Sequence, residues 1–424
     1  MHVRGVHTRS PRACVRRLSP GWKGRVGPLR IARIAPLAYT PGKLEYFSFI
    51  RSGDGAEYHQ NPLFYQFASG EVMIYWLAYD VNENNNNGVV LYSISRDRGI
   101  TWSDPQVYLA DYVGGIPFYS HLLTLRDQGI DGGNARRVIM MTTQHLMEEL
   151  VIDEARRVAT GGGDPLRSRT RIILRRSNDG GRSFDHGEEL PYQLVTGGKA
   201  LPGVGFYGSL EHLIQLGSGR IVAAFPFIDP ERSNFGDEDL PYWKRQHFTV
   251  ACLLSDDGGQ TWKRSSEITV DTDRGAMEPQ IAEVAPNRLL CLLRTKAGCL
   301  YQSTSDDGGQ TWSPAVPSPL SSPESMPRMI RLQSGNLLVV WNNVSSTTQQ
   351  PRHPLAAAVS RDGGQSWSEP KVIADETGSN QLSNHGLIQL DDGRILLGVS
   401  HYHDVRPAVS DLDVAIFDEA WLNA

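Results

Sequence analysis

An all-β fold, a six-bladed β-propeller, is what the 424-residue sequence predicts, and three observations carry that expectation. An eight-residue pattern, Ser-x-Asp-x-Gly-x-Thr/Ser-Trp/Phe, occurs five times, at 95–102, 177–184, 255–262, 305–312 and 360–367. An apolar stretch, a Gly or Asn turn and a second apolar stretch recur in phase with it. The length, finally, suits one closed ring of small sheets acting as a single unit. Each copy of the pattern has the chemistry of a self-contained turn, because Asp accepts backbone N–H groups, Gly tolerates positive φ and the ring plugs a neighbouring layer. Repetition at this interval points to a repeat architecture.

The hairpins follow in order along the chain. The first runs from Pro62 through Gly70 to Trp76, and a looser second joins 120–126 to 137–141. The third turns at Gly219 between Leu213 and Ala224, and the fourth at Asn287 between Ile281 and Leu290. The fifth turns at Gly335 between Met329 and Trp341, and the sixth at Gly393 between Leu387 and Leu397. Short strands joined by such turns are β-hairpins, and one hairpin per blade gives six blades. Two polar stretches, 82–87 in the first blade and 148–164 in the second, read as rim insertions of the kind that shape a pocket.

Composition narrows the function classes. The net charge is −5 and the basic residues are dispersed, apart from the start of the chain and Arg167, Arg169 and Arg171. Without a basic stripe interleaved with aromatics, no nucleic-acid partner is expected. No apolar run reaches the roughly 20 residues that span a bilayer, so no membrane partner is expected either. Residues 1–43 hold no acidic residue but include Arg4, Arg9, Arg12, Arg16 and Arg17, which reads as a basic arm ahead of a propeller over 44–424. A flexible arm, an amphipathic transit peptide and a misassigned start compete there, and a secretory signal would need an apolar core. Cys14, Cys252, Cys291 and Cys299 lack metal-ligand spacing. They read as reduced core residues, which fits a cytoplasmic protein or one whose stability does not rest on disulfides. No cofactor is expected, and the oligomeric state stays open.

The repeated pattern resembles the Asp box of the sialidase (neuraminidase) superfamily over nearly the whole chain from about residue 45. That resemblance implies a six-bladed propeller with its boxes on the periphery, so function must come from other residues. The family holds a sugar carboxylate with three arginines, whose planar forks pair with it bidentately. An Asp protonates the leaving oxygen, and a Tyr activated by a Glu attacks the sugar. Glu278 opens an inner strand and Arg294 ends the strand across the turn, matching the family's Glu and second arginine. Arg352, leading into the fifth box, matches the third, and Asp80 the general acid, with Glu83 in reserve. The first arginine's motif is only echoed at 32–36, and His59 stands at the start of the first blade in its place. Where the tyrosine is expected the chain reads Ser383, Asn384, His385, Gly386. Structural readings stand beside these: a strand-end ion pair, a solvated acidic turn, hydrogen-bonding core histidines.

Histidines gather at expected inner-strand ends: His59, His121, His212, His385, His401 and His403. Near a propeller axis such imidazoles can bind an anion, move a proton or ligate a metal, although no metal site is assigned. Tyr119, Tyr207, Glu211 and Tyr402 fall at similar strand ends and can contact a sugar. The resemblance implies an exo-acting glycoside hydrolase of sialidase type, with the terminal acidic sugar of a glycan as substrate. Arg294 and Arg352 would pin the carboxylate, Asp80 would protonate the leaving oxygen, and Glu278 would support the nucleophile or activate water. With Asn384 in place of tyrosine, direct attack by water and inversion become open. The alternatives are a lyase or His-based glycosidase acting on a uronate glycan, with His385 or His59 as base and Tyr402 as acid, or a non-catalytic glycan-binding propeller.

Overall fold

The turn chemistry of the hairpins and boxes folds as four-stranded antiparallel blades. In the computed structural model, residues 39–79, 89–109, 116–126, 136–146, 150–153, 158–162, 169–199, 210–234, 236–237, 245–403 and 409–424 are described. The chain enters along β1 (Glu45–Ile50), then forms blade one from β2 (Tyr58–Gln66), β3 (Val72–Tyr79), β4 (Val89–Ser95) and β5 (Gln106–Leu109). Blade two comprises β6 (Ile116–Thr124), β7 (Val138–Leu146), β10 (Arg169–Ser177) and β11 (Glu188–Glu189). Within it the expected insertion carries a separate hairpin, β8 (Leu150–Asp153) with β9 (Val158–Gly162). A short helix, α1 (Tyr192–Thr196), leads on to blade three, made of β12 (His212–Gln215), β13 (Ile221–Ile228), β14 (Phe248–Ser255) and β15 (Lys263–Arg264). Blade four holds β16 (Met277–Ala285), β17 (Arg288–Arg294), β18 (Cys299–Ser305) and β19 (Val316–Ser321). Blade five holds β20 (Arg328–Arg331), β21 (Leu337–Asn342), β22 (Leu355–Ser360) and β23 (Lys371–Ala374). Blade six takes β24 (Gln381–Gln389), β25 (Ile395–His403) and β26 (Val409–Phe417), with β1 as its fourth strand, before α2 (Glu419–Asn423). One parallel pairing, Tyr58 with Ser410, joins blades six and one into a continuous sheet.

The apolar core lies between successive blades. Val72, Ile74 and Trp76 of blade one pack with Leu396, Leu412 and Ile416 of blade six. Leu290 and Leu292 of blade four meet Val339 and Trp341 of blade five in the same way. Each box closes against the preceding blade at the glycine in its fifth position, which holds positive φ. A Cβ on Gly364 would come 2.3 Å from Leu290, and one on Gly99 2.8 Å from Leu396. Within a box the Asp carboxylate collects the turn: Asp257 accepts from Ser255, Thr261 and two backbone N–H groups, while Trp262 donates to Gly259.

Alternating strand direction puts the boxes, which follow third strands, on one face. The starts of inner strands and the ends of second strands lie on the other. On that second face the inner strand is bulged in blades one, two, four and six. Asn61, Glu278 and Asn384 sit in three of these bulges at positive φ of 54°, 46° and 47°. A bulge re-aims one side chain out of the ladder, here at equivalent places around the ring.

Of the expected arm over 1–43, residues 39–43 are described. Tyr39 and the Gly42 N–H both donate to Asp418 beside α2. Cys252 and Cys291 are buried and Cys299 half-buried, none of the three in a disulfide, and burial pushes the Cys252 thiol up to about 12. Among the described residues no helix is long and apolar enough to cross a membrane.

Candidate active site

Glu278 reaches the bulged start of β16 in a left-handed backbone conformation, and Arg294 ends the neighbouring β17 opposite Met277. Their side chains meet: Arg294 Nη1 donates to both Glu278 oxygens, at 2.8 and 2.7 Å. Arg294 is 7 % exposed, and the Glu278 side chain keeps 19 % exposure, which leaves the carboxylate as the open end of the pair. Burial alone would weaken the guanidinium's charge. The Glu278, Glu324 and Glu211 carboxylates outweigh it and hold the Arg294 pKa above its ordinary value.

A second ion pair lies against the first. Arg274, in the turn before β16, donates to Glu324 at 2.5 Å, and both residues are buried. Burial pulls the Arg274 pKa down against the pull of Glu324. Arg352 joins the group from the loop before β22: its guanidinium donates to the backbone carbonyls of Glu324 (3.3 Å) and Gln349 (3.1 Å), and to the Ser383 hydroxyl (3.4 Å). Ser383 precedes Asn384, whose amide donates to the Tyr402 hydroxyl at 2.8 Å. Blades four, five and six thus present three arginines, two glutamates and an Asn–Tyr pair as one connected polar surface. Asn384 and Tyr402 remain half-buried at its edge.

Beneath it, Arg328 opens β20 and reaches across the axis. Its Nε donates to the His385 carbonyl and its Nη1 to the Glu211 carbonyl, both at 2.6 Å. Three imidazoles surround this cation. Burial, with Arg328 adding to it, pushes His212 and His385 down to about 3 and His121 well below its ordinary value, so all three are neutral. The His212 ring fits that state, since its Nδ1 accepts from the Ile281 N–H at 2.9 Å.

Of the residues singled out from sequence, Glu278, Arg294, Arg352 and Tyr402 come together here. His385 lies in the floor with its ring fully buried and its carbonyl tying down Arg328. His59 is not brought to the cluster: it is fully buried, accepts from the Trp76 indole at 3.0 Å, and burial pushes it down to about 4. Tyr119 is placed by its backbone on β6, opposite Thr143. Asp80, Glu83, Tyr207 and the chain up to residue 38 lie outside the described residues. His401 and His403 pair with Asp413 and Asp411 at the outer end of β25 and β26. Among the described residues no group of three or more His, Cys, Asp or Glu is arranged to hold a metal ion.

Sequence reasoning missed Arg274, Glu324 and Arg328. Arg274 and Glu324 are 50 residues apart with no local motif. Arg328 was legible by register, since it opens the inner strand of its blade as Glu278 does. Two surface grooves on the outer rim, one lined by Phe67, Glu71, Tyr92, Trp102 and Arg182, belong to the box turns and do not touch this cluster.

The BNR repeat-like domain family matches residues 157–397. In three dimensions the chain is similar to the Hadza microbial sialidase Hz136, with a TM-score of 0.60 and 17% identity over 88% of this chain and 68% of that one. It is similar to a protein of unknown function from Dyadobacter fermentans, with a TM-score of 0.64 and 18% identity over 89% of this chain and 100% of that one. The K499G mutant of the NanB sialidase from Streptococcus pneumoniae gives 0.58 and 16% over 88% and 70%. At such identities the structural likeness establishes the fold alone. No curated protein matches the chain in sequence. With more than half of the chain matched, this protein belongs to the BNR repeat-like domain family and carries a six-bladed propeller similar in fold to those sialidases.

Proposed function

We propose that the protein is a glycoside hydrolase of sialidase type, exo-acting on the terminal acidic sugar of a glycan. The observation that supports it is the convergence of Arg294 and Arg352 with Glu278 on one face of the propeller. Guanidinium groups already anchored, Arg294 by the Glu278 carboxylate and Arg352 by backbone carbonyls, lose little freedom on pairing with a substrate carboxylate. In this reading Arg294 and Arg352 hold that carboxylate, and Tyr402 and Tyr119 contact the sugar. Asp80 protonates the leaving oxygen, and Glu278 takes the proton of the attacking water. Asn384 stands where the family's tyrosine is expected and holds the Tyr402 hydroxyl instead, which favours water as nucleophile. Full burial of His385 and His59 gives no support to an imidazole base in the lyase alternative.

The test is release of free sugar from a fluorogenic α-sialoside by the wild type and by Arg294→Ala, with thermal unfolding of both recorded. Loss of a preorganised charged contact predicts at least about a 100-fold drop in kcat/KM for the variant. A wild type that releases no sugar overturns the sialoside as substrate.

A further inference from the structure

The segment 375–380, between β23 and β24, is held by two histidines that each adjoin a residue of the candidate site. From the Arg352 side, His353 Nδ1 lies 3.3 Å from Asp375 and its Nε2 3.3 Å from the Gly378 carbonyl. From the Tyr402 side, His401 sits between two carboxylates: Nδ1 is 2.8 Å from Asp413 of β26, and Nε2 is 3.0 Å from Glu376 of the segment. Glu376 also accepts from Asn380, so its carboxylate organises the turn that leads into β24 and Asn384.

We propose that His401 is a positioning residue and a proton-dependent latch, which in its doubly protonated form ties segment 375–380 to blade six and so steadies Arg352 and Tyr402. An imidazolium presents a charged N–H to each carboxylate: Nδ1 is hydrogen-bonded to Asp413, and Nε2 faces Glu376 as an ion pair without hydrogen-bond alignment. Neutral imidazole has one N–H, and turns a lone pair towards the other carboxylate. The groups facing His401 fit the charged form. Asp413 and Asp411 come from β26, Glu376 from the segment and His403 from β25, its ring 4.2 Å away and itself paired with Asp411. Tyr46 of β1 donates to Asp413 at 2.9 Å. Burial opposes the charge on His401, but Asp413, Glu376 and Asp411 outweigh it and raise its pKa above the ordinary 6.5. With the folded value raised, the tie is complete below about 6.5 and is lost as pH rises through the higher folded pKa.

The latch goes beyond the glycosidase reading and does not depend on it, since its readout is local protection and not sugar release. Amide hydrogen exchange of 375–380, measured on the full chain and corrected for intrinsic rates, should show protection falling about tenfold or more between about pH 5.5 and 8.5. Glu376→Gln, a change in the connecting segment that leaves β25 and β26 intact, should abolish the step and lower the His401 titration midpoint seen by NMR. His353→Gln should keep the step. A flat wild-type profile, or a step that survives Glu376→Gln, overturns the proposal. So does a step lost only in His353→Gln, which would assign it to the other histidine.

Discussion

At the scale of single residues, the site is governed by charges that burial makes dependent on one another. Arg294 is almost fully enclosed and Glu278 is its nearest counter-charge, so Glu278→Gln keeps the shape and removes the compensation. Breaking a fully buried pair costs about 3–5 kcal/mol, and the partial exposure of Glu278 reduces this to about 2 kcal/mol. Urea unfolding should register that loss, and Arg294→Ala should destabilise by a similar amount. The buried histidines set a pH dependence of the opposite sign to that of His401. His212 and His385 at about 3 and His59 at about 4 stay neutral in the folded protein where the unfolded chain takes up protons. Between about 6.5 and 3 the unfolded state therefore binds more protons, and stability must fall as pH falls, by up to about 1.4 kcal/mol per unit for each imidazole. The urea midpoint should decline steadily below pH ~6.5; a midpoint constant down to pH ~4 would contradict neutral burial of these rings.

At the scale of elements, the same locality that makes the Asp box stable made it legible. The bonds that its Asp carboxylate accepts fall within eight residues, so composition and spacing alone reveal it five times over. Hydrogen bonds from the Ser366 hydroxyl and N–H and from Ser360 bring Asp362 down to about 2. Asp257 reaches the same value because its Thr261 and Ser255 bonds outweigh burial. Folded values below the ordinary carboxylate range stabilise the turns above pH ~4, and that support is lost as pH falls towards ~2. Asp257→Asn should remove part of that acid sensitivity in one box and lower the melting temperature at neutral pH, while sugar release, on the opposite face, should not change. The Gly-turn hairpins were legible for the same local reason. Pocket residues were legible only where a strand register carried them. Glu278 and Arg294 stand side by side at the open end of one hairpin and could be read together, whereas Arg274 finds Glu324 across 50 residues through the meeting of two blades. Histidines mislead from sequence because period-two patterning marks an inner-strand residue without saying whether its ring enters the pocket or the packing beneath it. His59 and His385 lie in the packing.

At the scale of the whole molecule, a ring of blades is only as stable as the joint that closes it. Here that joint is built from both ends of the described chain. β1 pairs along β26, Asp418 caps α2 through the Trp421 N–H while accepting from Tyr39 and Gly42, and Tyr58 bridges Ser410. On the axial side the joint is a steric fit. Pro62, just after the Asn61 bulge of blade one, rests on Gly386 and Gly398 of blade six, where a Cβ on Gly386 would stand 2.0 Å from the Pro62 carbonyl oxygen and one on Gly398 2.7 Å from the Pro62 ring. Neither glycine adopts a left-handed φ, so close approach of the backbone is what requires them. Gly386→Ala must push blade one away from blade six or shift β24 along its own ladder. Overpacking of this kind costs about 1–3 kcal/mol, and rigid backbone on the opposing side places this case at the upper end. Because Gly386 adjoins His385, whose carbonyl holds Arg328, the displacement should also loosen the floor of the candidate site. Gly386→Ala is therefore expected to lower the melting temperature by several degrees and to reduce sugar release together, whereas Gly393→Ala, at an open turn on the far end of the same hairpin, should cost stability through its positive φ and leave the site intact. Equal loss of activity in the two variants at matched stability would show that ring closure does not reach the site.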